Sequence, residues 1–494
     1  MKQMRLPGWT ALYFLFAFSF IGTSECASAT MYYVSKSGNN SNPGTLSKPF
    51  LTIQYGLNKA TRAGDTVFVE TGTYNEAISF PASGSASGGY ITLQNYPGAL
   101  PSINGSGLSA TMLVNTNSQS YVKLIGFDIQ NLYSLKHDGG GVFVYGSGTN
   151  INIENNTIHH FNYLSKGSDS ARNGRGIAVW GTSSTAELKN IVISGNNVYD
   201  CHELYGNVVE ISGNTNHFTL SNNVVHDNTG IQIDITGGYQ PPSMGFWTIQ
   251  ARNGIVSGNT VYHGDVNSIG IYAGGSANVT ITSNTIYDTT VGIQVASEIA
   301  KVPANNIVVE DNLIYGNSTY GLGVGTLTTL GFGSGTIVGC SFLNNTVYHN
   351  GVGAYGNVAL GSGTASIVAS NIFYSGDDVA LTDYGLASGS NIILTHNLYY
   401  TGDGIASKAQ FIWPSGSSTV TYNGLSAFQS ATGQEQNGLF AEPLFVNLAG
   451  DNFNEAAGSP SIGAGSSTSG YYDPVDLTGK TRPLPSDAGA YQYN

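Results

Sequence analysis

Two five-residue segments place a carboxylate at matching positions: Val209-Glu210-Ile211-Ser212-Gly213 and Ile233-Asp234-Ile235-Thr236-Gly237. In each, branched apolar residues flank the acid, and a hydroxyl and a glycine follow it. Read as strands, both put the acid on the face opposite to the apolar neighbours. On adjacent turns of a repeat, Glu210 would lie directly beside Asp234. The next turn would offer Ala273 and Gly274. A third acid, Glu298 of Ala296-Ser297-Glu298, would then stand two turns away and two residues beyond the Asp234 column. Two carboxylates one strand apart repel, which raises one pKa and leaves an acid beside a base. Separation by two turns leaves room for a water between them. Either arrangement suits cleavage of a glycosidic bond. Outward acids on a repeat are ordinarily just solvated; what singles these out is their company. Trp180, Tyr205, Tyr239, Trp247 and Tyr272, with Arg175, fall on the same strands or in the loops that leave them, and aromatic platforms with a few polar groups are how proteins hold sugar rings.

Elimination chemistry would need a different set: a cation to neutralise a uronate carboxylate, and a Lys or Arg to abstract the proton. Asp200, Asp227 and Asp288 are the calcium candidates, with Arg172, Arg175 or Lys301 as base. The same residues also suit plain turns, where Asp is favoured. His160, His226, His263 and His349 occupy the corresponding turns and read chiefly as structural. Gly321-Leu322-Gly323-Val324-Gly325 has no phosphate-binding context and reads as strand and turn.

The elements that must position these groups announce themselves by repetition. Nine segments alternate apolar residues, reach an Asn, and lead through two apolar or Thr residues into a polar turn, as in Val279-Thr280-Ile281-Thr282-Ser283-Asn284-Thr285-Ile286. The marker Asn stands at 156, 197, 223, 259, 284, 312, 345, 371 and 397, at spacings of 41, 26, 36, 25, 28, 33, 26 and 26. A period in the mid-twenties fits one coil of three short strands, and the sequence therefore predicts an all-β, right-handed parallel β-helix. Asn tolerates the left-handed backbone of a sharp bend, and stacked amides can bond from coil to coil. A second strand type recurs between markers, led by glycine: Gly176-Ile177-Ala178-Val179, Gly230-Ile231-Gln232-Ile233, Gly270-Ile271-Tyr272-Ala273 and Gly292-Ile293-Gln294-Val295. The spacings of 41, 36 and 33 mark inserted loops, where such a rod carries function.

An open coil exposes unpaired backbone, so the ends need caps. A helix opened by Pro49, with Phe50, Ile53, Leu57 and Ala60 on one face, is predicted to close the start. A short helix near residues 426–431 belongs to an irregular C-terminal cap. Lys2 and Arg5, the apolar run 11–21 and Ala27-Ser28-Ala29 have the layout of a secretory signal. The predicted organisation is a signal over 1–29, an N-terminal cap over 30–64, the β-helix over 65–400 and the C-terminal coil and cap over 401–494. Without the signal, 15 basic and 29 acidic side chains remain, a net charge of −14, which argues against nucleic acid as a partner. No second run is long enough to span a bilayer. Cys201 and Cys340, several coils apart, are expected to be buried and not bonded to each other.

The entry region resembles that of right-handed parallel β-helix proteins of the pectate-lyase-like superfamily: Tyr32-Tyr33-Val34-Ser35, Asn42-Pro43-Gly44-Thr45, Lys48-Pro49-Phe50, Ala63-Gly64-Asp65-Thr66-Val67 and Gly72-Thr73-Tyr74. The ending is similar to that of the same group, with Pro443-Leu444-Phe445, residues 458–465 and Gly489-Ala490-Tyr491. The resemblance implies the fold and a carbohydrate substrate, whereas activity varies widely across such a group. The Asn-Thr-Asp, Asp-Asp, Gly-His-Gly and Arg-Ile-Lys set of polygalacturonases is missing. The expectation is a secreted, extracellular or periplasmic enzyme that cleaves glycosidic bonds of a polysaccharide with Glu210, Asp234 and Glu298, without a cofactor. The alternatives are a calcium-assisted lyase and a non-catalytic glycan-binding β-helix.

Overall fold

A computed structural model describes residues 29–133, 139–162, 173–202, 206–237, 249–326, 335–351, 355–383, 391–415 and 418–493. The chain winds through three sheets, one strand of each per coil, parallel throughout except for the last strand of the third, Ser418–Asn423, which pairs antiparallel with Gln410–Ser415. Sheet A runs from Met31–Val34 to Ile392–Thr395, sheet B from Gly72–Tyr74 to Leu439–Phe440, and sheet C from Ile78–Ser79 to Ser418–Asn423. A representative coil consists of Gly148–Glu154 in sheet A, Thr157–Phe161 in sheet B and Gly174–Gly181 in sheet C. Inward side chains stack in columns: Ile153, Ile193, Leu220, Val256, Ile281 and Val309 follow one another in register along sheet A, all buried. Each such side chain stabilises the rod by roughly 1.5–3 kcal/mol. The architecture is the right-handed parallel β-helix that the repeat predicts.

The corner between sheets A and B is held by a buried asparagine ladder. Oδ1 of Asn284 accepts the backbone N–H of Asn259 at 3.0 Å and its Nδ2 at 2.9 Å. Asn284 in turn donates its own N–H and Nδ2 to Oδ1 of Asn312, at 3.0 and 2.9 Å. The pattern runs from Asn156 through 196, 223, 259, 284, 312, 345 and 371 to Asn397. In one coil this corrects the sequence reading: the ladder member is Asn196, and Asn197 is the first residue of the following strand. The two tasks assigned to one asparagine are also divided between neighbours. The left-handed bend belongs to the preceding residue, with φ of 56° at Asn155, 65° at Gly195, 56° at Asn222 and 64° at Gly258, which leaves the marker in ordinary backbone and free to bond along the axis.

At the start, Phe50, Ile53, Leu57 and Ala60 are buried under the first coils as expected. The helix itself covers Ile53–Lys59, later than Pro49 suggested. Phe50 is held by the rod instead: its N–H donates to Tyr33 O at 2.8 Å and its carbonyl accepts from Ser35 N at 2.9 Å. The Glu76 carboxylate, from the next coil, accepts the first two helical N–H groups, of Ile53 and Gln54, at 3.0 Å each. The C-terminal helix spans Leu425–Thr432 and buries Phe428 against Phe411, ring centroids 4.9 Å apart. Beyond it the chain doubles back along the rod: Asp473 N donates to Asn344 Oδ1 at 2.8 Å, Ala490 N to Thr346 Oγ1 at 2.9 Å, and Arg482 forms a buried ion pair with Asp311. Cys201 and Cys340 are both buried, in sheet B and beside sheet A, and neither belongs to a disulfide. Burial pushes the Cys340 thiol up to about 11.

The ladder ends on Glu435, which replaces the next amide and accepts from Asn397 Nδ2 at 2.5 Å and Tyr399 OH at 2.8 Å. Burial raises its carboxyl to about 7 against those hydrogen bonds. The folded chain therefore keeps this proton to higher pH than the unfolded chain, and stability falls as pH rises from about 4.5 to about 7. Glu435→Gln should remove up to about 3 kcal/mol of that loss, seen as a smaller drop in Tm between acidic and mildly alkaline buffer than in the parent. The ladder assignment makes a second prediction. Asn196→Ala, which strands the N–H and Nδ2 of Asn156 and removes the Nδ2 donor to Asn223 Oδ1, should lower stability by about 2–4 kcal/mol, and Asn197→Ala by less than about 1 kcal/mol, measured by chemical denaturation.

Candidate functional site

Sheet C brings the two matching acidic segments side by side, as strands Asn207–Gly213 and Ile231–Thr236. The segments 134–138, 163–172, 203–205 and 352–354 join sheet B strands to sheet C strands, and 238–248, 327–334 and 384–390 follow sheet C strands. On the outer face between these junctions, one column reads Phe143, Ala178, Glu210, Asp234, Tyr272, Gln294 and Gly323, each in register with the next. A second, two residues on, reads Tyr145, Trp180, Ser212, Thr236, Gly274 and Ala296. Glu210 and Asp234 are thus adjacent, as their matching segments predict. The residue opposite Asp234 in the next coil is Tyr272; Ala273 and Gly274 pair with Ile235 and Thr236. The strand partner of Tyr272 is Gln294, so Glu298 lies four residues beyond the column rather than two, past the end of the strand and exposed.

The acid pair is enclosed: Glu210 is 4 % and Asp234 3 % exposed. Arg175 balances Glu210, with Nε 3.5 Å from Oε2, and its guanidinium lies 5.0 Å from the Trp180 ring centroid. Trp180 meets Phe143 edge to face at 5.0 Å. Asp234 accepts Asn207 Nδ2 at 2.6 Å. Burial, then the charges of Glu210 and Glu298, push the Asp234 carboxyl well above the usual carboxylate range against that one bond. Burial and the charges of Glu298 and Asp234 likewise raise the Tyr272 phenol. Further along, Tyr320 OH donates to Gln294 Oε1 at 2.8 Å, and Gln294 Nε2 donates to Gly325 O at 2.8 Å. Glu210 Oε2, Asp234 Oδ1 and Trp180 Nε1 are buried with no hydrogen-bond partner among the described residues, and such atoms are costly unless a ligand or water completes them.

Residues 32–167 match the family described as Pel9A-like, right handed beta helix region, and residues 112–297 and 176–337 match the right handed beta helix region family. Among solved structures, pectate lyase Pel9A superposes with a TM-score of 0.53 and 15 % identity over 96 % of this chain and 98 % of its own. The chain is a right-handed parallel β-helix, and its entry region is similar to the Pel9A-like family. XylC in complex with xylose matches this β-helix with a TM-score of 0.58, 12 % identity and coverage of 94 % and 98 %. The GH136 lacto-N-biosidase from Eubacterium ramulus gives 0.51, 15 %, 74 % and 68 %. In sequence, the β-helix is 29 % identical over 470 residues to the uncharacterized protein YwoF of Bacillus subtilis (strain 168), spanning 91 % of this chain and 96 % of that one.

Not every sequence candidate converges on sheet C. Tyr205, Tyr239, Trp247 and Arg172 lie outside the described residues. Asp200, Asp227 and Asp288 sit at the ends of sheet B strands in left-handed backbone, φ 50°, 54° and 51°, the position taken by His160, His263 and His349 in other coils. They face imidazoles: His160 Nε2 is 3.5 Å from Asp200, and His263 lies 3.4 Å from Asp227 and 3.6 Å from Asp288. Calcium takes six to eight oxygen ligands, which these turns do not assemble. Among the described residues no group of three or more His, Cys, Asp or Glu is placed to hold a metal ion. Lys301 is exposed near Glu298, and His349 stacks on Tyr348 at 4.1 Å, with burial lowering its pKa. Sequence reasoning passed over Asn207 and Gln294. Gln294 could have been found by counting the column through the glycine-led strands, since Asp234, Tyr272 and Gln294 hold the same place in each.

The raised Asp234 carboxyl sets a stability test. The folded chain holds this proton above the pH at which the unfolded chain loses it, so ionisation costs stability as pH rises above about 4. Asp234→Asn should raise Tm at neutral pH and leave it nearly unchanged in acid, measured by a thermal melt at each pH.

Proposed function

We propose that this β-helix is a secreted carbohydrate-active enzyme that hydrolyses glycosidic bonds of a polysaccharide laid along sheet C. The observation that carries the reading is the in-register pair Glu210 and Asp234, which one environment divides into two roles. Asp234, buried and favoured in its protonated form, is suited to protonate the leaving oxygen. Glu210, balanced by Arg175, is the carboxylate beside it. Adjacent coils stand about 4.8 Å apart, close to the roughly 5–5.5 Å between carboxyls in retaining glycosidases, and Glu210 is accordingly assigned as nucleophile. Glu298, at the exposed edge, contributes its field to Asp234 and Tyr272. Trp180 and Tyr272 flank the pair along the axis, where sugar rings of a bound chain would lie. The xylose held by XylC and the lacto-N-biosidase activity named for the GH136 protein are consistent with a sugar-directed rod. Export follows from the signal-like layout of residues 1–29, and no helix among the described residues is long and apolar enough to cross a membrane.

A second reading rests on the near-complete enclosure of the pair: a β-helix that binds glycan without cleaving it. The two separate in one experiment. Glu210→Gln and Asp234→Asn should each lower kcat by about 10²–10⁴-fold, and Glu298→Gln by less, read as reducing ends released from a responsive polysaccharide. Chelator should leave the rate unchanged, and products should lack the absorbance of unsaturated sugars. Glycan binding without any product, undiminished in the triple variant, would establish the binder instead.

A further inference from the structure

The charge on sheet C limits which polysaccharide can lie there. Across its described strands Arg175 is the only cationic side chain. It is already engaged by Glu210 at 3.5 Å and by the Trp180 ring at 5.0 Å. Glu210, Asp234 and Glu298 are the acids of the same face, and the one further cation close in sequence, Lys301, follows Glu298 by three residues. A polyuronate brings one carboxylate per sugar, and each carboxylate that leaves water needs a cationic or strong hydrogen-bonding partner. This face has no cation to spare and meets such a chain with carboxylates of its own. What it does offer is neutral: the hydroxyls of Ser212 and Thr236 beside the pair, and the Trp180 indole, whose Nε1 has no hydrogen-bond partner among the described residues, groups matched to sugar hydroxyls and C–H faces.

We propose that sheet C takes an uncharged polysaccharide and excludes polyuronates. This rests on the hydrolase reading and adds the substrate class to it. The test is native affinity electrophoresis of the full mature chain in gels containing arabinoxylan, β-glucan or galactan on one side, and polygalacturonate or alginate on the other, paired with reducing-end and unsaturated-product assays on the same polymers. Loss of mobility in at least one uncharged gel and none in the anionic gels is the expected result. Thr236→Lys, which sets a cation on the column beside Asp234, should create retardation by polygalacturonate; if that variant does not fold, the parent panel still decides. Retardation of the parent by a polyuronate would overturn the substrate class. If reducing ends from that polyuronate were also lost in Asp234→Asn, the hydrolase reading would survive the failure. Absence of both binding and product on every polymer would overturn the two together.

Discussion

Every amide in the corner ladder both gives and receives along the rod axis, and this fixes the position of one coil relative to the next to within a hydrogen bond. Oδ1 of each ladder asparagine collects two donors from the coil before it, so a coil that slipped by one residue would strand buried polar atoms at every junction. The apolar columns alone forbid a one-residue slip, which would turn inward side chains outward, but they tolerate a two-residue slip, because isoleucine and valine pack alike along a column. The ladder removes that ambiguity. The strand pairing of sheet C keeps the same coil-to-coil order, and its register sets Glu210 opposite Asp234.

The same constraint explains where the chain can vary. The corner from sheet A to sheet B holds no interruption between Asn156 and Asn397, because an inserted residue there would break the amide row. Among the described residues the two corners that border sheet C carry only shorter amide rows, such as Asn317, Asn350 and Asn357. Site and scaffold are thereby separated within each coil. One corner holds the rod together, and the opposite sheet receives the enclosed acids. Enclosure is expensive for carboxylates, and the stacked apolar columns beneath offset it, so unpartnered oxygens such as Asp234 Oδ1 can persist in a stable rod.

Much of this was legible in the sequence, for definite reasons. The repeat declares the fold because each coil must solve the same corner, and the Glu210–Asp234 pairing follows from counting between glycine-led strands. Where two asparagines adjoin, composition does not tell the ladder member from its neighbour, and Asn196 was exchanged for Asn197. The left-handed residue was hidden by its variety, since Asn155, Gly195, Asn222, Gly258, Ser283 and Asp311 all fill that place. Pro49 suggested a helix start, but the sequence does not show the bonds between Phe50 and the Tyr33–Ser35 segment that delay it to Ile53. Glu298 was misplaced because counting forward along a strand does not reveal where that strand ends, and Ala296 is its last residue.

The outward face of sheet B shows why aromatic content alone does not locate a glycan site. His159, Tyr199, His226, Tyr262, Tyr287 and Tyr315 stand in register on consecutive coils, with ring centroids 4.6–5.1 Å apart and planes nearly parallel. A sugar stacks on a ring face, and here the faces of the interior rings are covered by their neighbours, leaving edges to solvent. Farther along, Phe453 from the returning C-terminal chain packs on Tyr315 and Tyr348 and covers that end of the row. Sheet B therefore uses its rings to stiffen the rod. On sheet C the rings are spaced among acids and amides, with Trp180 touching Phe143 by an edge and Arg175 by a face. The distinction lies in what occupies the ring faces, and it is set by whether consecutive coils repeat the aromatic at one place or alternate it with polar residues.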